Sequence, residues 1–317
     1  VPTPADSTLS QHLPRSIILT DEVRTALSSG APIVALESTI ISHGLPRPEN
    51  LRVAGAVEDI VRSRGAIPAT IAILDGTIHV GLTPDQLEQV ANRDDILKVS
   101  VRDLATVTSR AGSGATTVAA TSHIAHLVGI STFATGGLGG VHRGARDTWD
   151  ESADLTTLGN TPVTIVCAGV KSILDVTATL ERLETLNVGV VGFGSINFPG
   201  FYLSDSGHTL DWSVDDVNEV ADIVAMRSEL RIPSALIVAN PLPIEDQLDP
   251  DEHDAVLAEG QMLAAKRGIS GKDVTPFLLD HFHRSTHGAS LMANEKIILR
   301  NAELAARIAV AQRQLQL

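Results

Sequence analysis

Four short apolar runs, rich in β-branched residues, constrain this chain most: residues 32–36, 131–134, 163–167 and 235–238. Each is too short for a stable helix and too uniformly apolar for one wet face, the pattern of strands buried on both sides. Stretches with helical periodicity lie between such runs, so strands and helices alternate. A polar residue closely follows each run: Glu37, Thr135, Lys171 and Asn240. In a parallel sheet these four share the carboxyl edge, where open α/β sheets bind ligands. The expected fold is α/β: a single-domain αβα layered sheet, largely parallel, with a helical C-terminal region. Residues 1–15 read as a loose arm and residues 16–317 as the domain.

The intervening segments fill in this outline. Residues 68–74 and 77–80 flank Asp75-Gly76, a hairpin signal. Residues 96–100 read as a strand carrying Lys98, which either blunts a sheet edge or contacts an anion. Asn50 is placed to cap a helix bearing Val53, Val57 and Val61, and Thr83-Pro84-Asp85 opens another. Residues 42–48 and 195–207 have no period and read as loops, the second able to shape a pocket. Residues 112–117 read as a turn offering N–H groups to an anion, without the Gly-Lys-Ser/Thr of a P-loop. A strand over 188–193 is followed by helices over 214–230, 251–267, 275–286 and 289–317.

Two further stretches carry chemistry or its absence. Five glycines among residues 136–144 describe a backbone that must approach something closely, or a flexible loop tip. Their spacing is wrong for a dinucleotide fingerprint, while His142 and Arg143 suit a phosphorylated ligand. Asp147, Asp150, Glu151 and Asp154 then crowd four carboxylates into eight residues, either a solvated turn or one partly neutralised by a cation. A lone carboxylate completed by water is the habit of Mg²⁺ or Mn²⁺ rather than Zn²⁺. His281, His283 and His287 lack the cysteines or the glutamate that would make a zinc pattern.

Lysine is scarce here: Lys98, Lys171, Lys266, Lys272 and Lys296 are all there are. Lys171 sits among Val170, Ile173 and Leu174. Desolvation there disfavours an ammonium and makes an amine able to attack a carbonyl, whereas a structural lysine would snorkel its charge to the surface. Ile40 and Ile41 follow Glu37, so that carboxylate is not freely solvated. An acid, an amine and a glycine-lined loop on one edge point to imine formation with a sugar or keto carbonyl, the carboxylate moving protons.

Composition narrows the partners. A net charge of −14 argues against a nucleic-acid polymer, which needs a basic surface, but leaves room for a small phosphorylated substrate. No apolar run is long enough to span a bilayer, and the first residues lack a signal-peptide core. The single Cys167 lies inside an apolar strand as a core residue, so no disulfide framework is expected and a cytoplasmic location fits.

Several long strings make the chain resemble the pseudouridine-5′-phosphate glycosidase family. They are residues 34–44, which run Val-Ala-Leu-Glu-Ser-Thr-Ile-Ile-Ser-His-Gly, the loop 134–144, and Ser152-Ala153-Asp154-Leu155. Val166-Cys167-Ala168-Gly169 with Lys171-Ser172-Ile173-Leu174-Asp175, and Thr275-Pro276-Phe277-Leu278-Leu279, complete the set. The resemblance runs from about residue 16 to the end. It implies an αβα homotrimer acting on the carbon–carbon glycosidic bond between ribose 5-phosphate and uracil, through a lysine imine with ring-opened ribose and a glutamate acid. The matching positions are Lys171 and Glu37. The family's Mn²⁺ aspartate matches Asp150; substrate-contacting positions match Lys98, Val118, Ser152, Ala153 and Asp154, and further pocket residues match Thr135, His142 and Asn294. Departures fall elsewhere: no arginine follows Phe201-Tyr202 closely, Ser195-Ile196-Asn197 stands for Thr-Asp-Glu, and Glu295-Lys296 replaces apolar residues. These bear on the aglycone. A relative that attaches ribose 5-phosphate to an aromatic polyketide in alnumycin biosynthesis keeps a C-glycosynthase as the alternative to uracil.

Overall fold

The apolar runs become strands because each offers a side chain to both faces of the sheet and nothing to solvent. The computed structural model describes residues 13–269 and 274–315. Its strands are β1 (Ile17–Leu19), β2 (Ile33–Leu36), β3 (Ile67–Leu74), β4 (Thr77–Val80), β5 (Leu97–Val99), β6 (Gly114–Thr116), β7 (Thr132–Ala134), β8 (Thr164–Cys167), β9 (Gly189–Phe193), β10 (Asn197–Gly200), β11 (Leu203–Thr209), β12 (Ser213–Val214) and β13 (Leu236–Ala239). The main sheet runs β1-β4-β3-β2-β7-β8-β13-β9-β12, with β5 and β6 attached at β3. From β3 to β12 every neighbouring pair is parallel, so the expected fold class holds. β3 uses residues 67–70 for β2 and residues 71–74 for an antiparallel pairing with β4 across the Asp75-Gly76 turn.

Side chains of the central strands divide by alternation. Ala35, Phe133, Ile165 and Ile237 face one core; Val34, Leu36, Ala134, Val166 and Val238 face the other. The helix Ala289–Leu315 lies across β2, β7 and β8 on the second face, bringing Ile298, Ala302 and Ala305 to it. The helices Val118–Val128 and Ala153–Leu158 serve the first face through Ile124, Leu155 and Leu158. Burying each large aliphatic side chain contributes about 1.5–3 kcal/mol. Cys167 is fully buried in β8 and its thiol is pushed up to about 12 by burial, as befits a core residue.

Four local expectations are corrected. Residues 195–207 are not a loop: β10 and β11 form an antiparallel hairpin with a register shift between Phe198 and Gly200. Their sequence hides this, because Leu203–Thr209 is almost wholly polar and its turn residue Phe201 adopts a left-handed φ of 62°. Residues 114–116 are strand β6 rather than turn, and a Cβ at Gly114 would collide with Val99. Ile40–Gly44 winds into a π-helical turn instead of starting a loop. Asn50 does not cap its helix, which begins at Glu49; its buried amide donates instead to the carbonyls of Ile41 and Ala91, both at 2.9 Å. Of the N-terminal arm, residues 1–12 lie outside the described residues, and Leu13 packs on the core.

Candidate active site

β2, β7, β8 and β13 are consecutive in the sheet, so the four polar residues that follow them do share its carboxyl edge. Beyond β8 the backbone continues as a strip alongside the glycine loop. Ala168 N–H donates to Gly136 O at 2.9 Å, Leu138 N–H to Gly169 O at 2.9 Å and Lys171 N–H to Leu138 O at 3.1 Å. Gly169 takes a left-handed φ of 77° to allow this, and the Lys171 carbonyl is then held by Leu174 N–H at 2.9 Å. Lys171 is thereby fixed at the mouth of a cleft. Its neighbours Val170, Ile173 and Leu174 are buried, but Lys171 itself is half-buried, which corrects the expectation of an enclosed lysine.

Glu37 is the enclosed partner, only 8% exposed. Burial raises its pKa above the ordinary carboxyl value. The Lys171 charge, the Thr135 hydroxyl and the Lys98 charge act against that, and Asp154 adds to it. Thr135 Oγ1 donates directly to Glu37 Oε1. The next two residues anchor the turn: Ser38 Oγ donates to Ile71 O at 2.6 Å and accepts from Thr116 N–H at 2.9 Å, and Thr39 Oγ1 donates to Thr116 O at 2.8 Å.

One cleft of about 1070 Å³ gathers most of the residues picked out from the sequence. Glu37, Lys98 and Lys171 line it on the sheet side, Val118 at the start of its helix, and His142, Asp150, Ser152, Ala153 and Asp154 across from them. A second chamber of about 480 Å³ also touches Glu37, Lys98 and Lys171 and is closed by His43, Phe201, Pro276, Leu279 and Asn294. Thr135 enters through its hydrogen bond to Glu37. Asn294 is 6% exposed and its buried side-chain oxygen has no hydrogen-bond partner among the described residues, which leaves an acceptor at that chamber.

The remaining candidates divide. Asn240 shares the edge but not the cleft; its amide donates to Asn301 Oδ1 at 2.9 Å. Arg143 turns away toward Ser172 O at 3.5 Å. The glycines of the loop do approach something closely, but it is the protein: a Cβ on Gly137 would lie 2.6 Å from the Phe201 ring. The four crowded carboxylates disperse. Asp147 is exposed, Glu151 pairs with Arg182 at 3.0 Å, and Asp154 accepts from Ala119 N–H at 2.9 Å and Gly139 N–H at 2.8 Å. Asp150 is left facing the cleft, its Oδ2 3.7 Å from His142 Nδ1. Among the described residues no group of three or more ligating side chains gathers, so a metal cage is not built. Asp150, on a cleft wall it shares with Glu151 and Asp154, nevertheless fits a hard divalent cation that keeps most of its water.

Sequence reasoning did not single out Thr39, His43, Phe201 or Asn301. Burial lowers the pKa of His43, with the nearby Lys98 charge adding to that and the backbone of Leu97 and Ile96 acting against it. The strings that contain Thr39 and His43 were visible; Phe201 depended on a hairpin with no apolar alternation. Glu295 and Lys296 leave the pocket altogether, pairing with Arg52 at 2.6 Å and Asp246 at 2.5 Å.

The chain is similar to known proteins over most of its length. Residues 22–311 match the family described as indigoidine synthase A like protein. A pseudouridine-5′-phosphate glycosidase of Salinispora tropica is 58% identical over 307 residues, covering 96% of this chain and 94% of that one. One of Streptomyces griseus is 58% identical over 295 residues, covering 93% and 91%. Among solved structures, the prealnumycin C-glycosynthase AlnA in complex with ribulose 5-phosphate superposes with a TM-score of 0.88 at 34% identity, covering 96% of this chain and 99% of that one.

Proposed function

The chain belongs to the indigoidine synthase A-like family, that of the pseudouridine-5′-phosphate glycosidases, and is an enzyme of it; on that premise we propose that it hydrolyses pseudouridine 5′-phosphate to ribose 5-phosphate and uracil. The observation that carries this reading is one cleft lined by both Lys171 and Glu37, with the neutral form of Glu37 favoured by burial.

A carbon–carbon glycosidic bond resists simple acid hydrolysis because its leaving group is a carbon. In the proposed route Lys171 Nζ attacks C1′ as a proton passes to the ring oxygen, which opens the ribose. The nitrogen lone pair then forms an iminium at C1′ while the C1′–C5 electron pair leaves with uracil and C5 takes a proton. Water adds to the iminium, releasing ribose 5-phosphate and the free amine. Glu37 is the acid for these transfers, being buried, with its pKa raised by that burial, and hydrogen-bonded to Thr135. Lys98, His142 and Ser152, with the helix start at Val118, line the cleft where the phosphate end fits, and Ala153 and Asp154 complete that wall. Asn294, whose side-chain oxygen has no partner among the described residues, offers an acceptor to an imide N–H. Asp150 would hold the Mn²⁺, which when bound would supply positive charge to the cleft. The homotrimer carried over with the family is part of the same proposal.

Uracil is put ahead of a polyketide aglycone. Identity to the glycosidases is 58% against 34% to the C-glycosynthase, and the departures at Glu295 and Lys296 serve ion pairs outside the chamber. Uracil release from pseudouridine 5′-phosphate with Mn²⁺ present, beside a Lys171→Ala control, tests the reading. Release abolished in the control is expected; no release by the wild type removes uracil as the aglycone.

A further inference from the structure

Asn301 sits two helical turns after Asn294 on Ala289–Leu315, so both project to the same side of that helix. It is 1% exposed and lines neither chamber. Its Nδ2 donates to Thr135 O at 2.8 Å and Gly136 O at 3.3 Å, and its Oδ1 accepts from Asn240 Nδ2 at 2.9 Å. The orientation of the amide is forced, because two carbonyls can only accept and the NH₂ of Asn240 can only donate. Asn240 is itself fixed by its backbone N–H on Cys167 O at 2.8 Å.

These contacts form one continuous chain. Asn240, after β13, holds Asn301; Asn301 holds the carbonyl of Thr135, after β7; and the Thr135 hydroxyl holds Glu37, after β2. We infer that Asn301, oriented by Asn240, is a positioning residue that sets the Thr135 hydroxyl against the Glu37 carboxyl and so tunes the acid without touching substrate. It rests on the reading of Glu37 as the acid. With Asn301 removed, the end of β7 loses its only side-chain restraint among the described hydrogen bonds to Thr135 O, and the hydroxyl contact loosens. That contact lowers the pKa of Glu37, as the charges of Lys171 and Lys98 do, against the opposing effects of burial and Asp154. Loosening it favours the protonated carboxyl further.

The test uses the full-length protein with Asn301→Ala, Asn240→Ala and Thr135→Val. Two readouts are taken: kinetics of uracil release, and the titration of Glu37 by carbon NMR of ¹³C-glutamate protein, assigned against Glu37→Gln. For Asn301→Ala, kcat is expected to fall roughly 10- to 100-fold with KM within about twofold, as for a small misplacement of a reacting group. The Glu37 midpoint should move upward, and the basic limb of the rate profile with it. Adding Asn301→Ala to Thr135→Val should cost little more, since both act through one hydroxyl. Asn240→Ala should give the same shifts at smaller size, and it carries the test if Asn301→Ala does not fold. A Glu37 midpoint unmoved in the variants, or losses that simply multiply in the double variant, overturns the inference. The titration needs no substrate, so it decides the inference separately from whether uracil is released.

Discussion

Between β2 and β13 every strand residue is buried, and each strand ends on a side chain that lines the site or braces it. The β10–β11 hairpin beside it also buries large groups, Phe198, Phe201 and Tyr202, yet its second strand alternates between half-buried and exposed polar residues. The centre is held by packing on two faces and holds Glu37, Thr135 and the proposed nucleophile Lys171 at or just beyond its strand ends. The hairpin is held on one side and supplies a wall, through Phe201 against Gly137. On the proposed reading, chemistry belongs to the centre and the shape of the second chamber to the rim, and substitutions should separate the two.

The sharpest separation is Lys171→Ala. It should lower uracil release about 10⁴-fold or more while leaving the melting temperature close to that of the wild type, because the side chain is half-buried at a cleft. Equal loss of stability and rate would make the lysine structural and break the comparison.

Glu37→Gln should cost roughly 10²- to 10⁴-fold in kcat, and its effect on stability should depend on pH. The folded pKa of Glu37 is raised, so the fold favours its neutral form. That contribution is whole below the ordinary carboxyl value and is lost as pH rises through the raised one. Melting curves of wild type and Glu37→Gln should therefore coincide near pH 4, and the variant should be the more stable near pH 8. Coincidence at both pH values would mean that Glu37 is not desolvated.

Phe133→Ala probes the centre directly. The ring is fully buried in β7, and its loss should cost about 3–5 kcal/mol by denaturant unfolding. A cost under about 1 kcal/mol would contradict a two-face core.

The smallest effect is expected at the rim. Lys296→Ala removes a half-exposed pair with Asp246 and should cost at most about 1 kcal/mol, with KM for pseudouridine 5′-phosphate within about twofold. A large rise in KM would return Glu295-Lys296 to the pocket.

The same contrast explains what could be read from the chain. Glu37, Thr135 and Lys171 were legible because uniformly apolar runs announce central parallel strands, whose ends must then meet. Asn240 obeyed that rule for position but not for direction, since a strand-end side chain can turn into the core when a partner such as Asn301 waits there. The hairpin was not legible because Leu-Ser-Asp-Ser-Gly-His-Thr has neither β-branching nor apolar alternation before Thr209; tertiary pairing with β10 makes it a strand. The π-helical turn after Thr39 was equally hidden, since the residues His43, Gly44 and Pro46 read as a loop by composition. Half-burial of Lys171 depends on the width of a cleft between distant segments, which no local pattern records.

The most direct measurement is reductive trapping: the protein is incubated with ribose 5-phosphate and borohydride, digested, and its peptides are weighed by mass spectrometry. The account predicts one reduced ribose phosphate on the peptide containing Lys171, and none in Lys171→Ala. Trapping on another lysine, or uracil release by an enzyme that yields no adduct at Lys171, would contradict it.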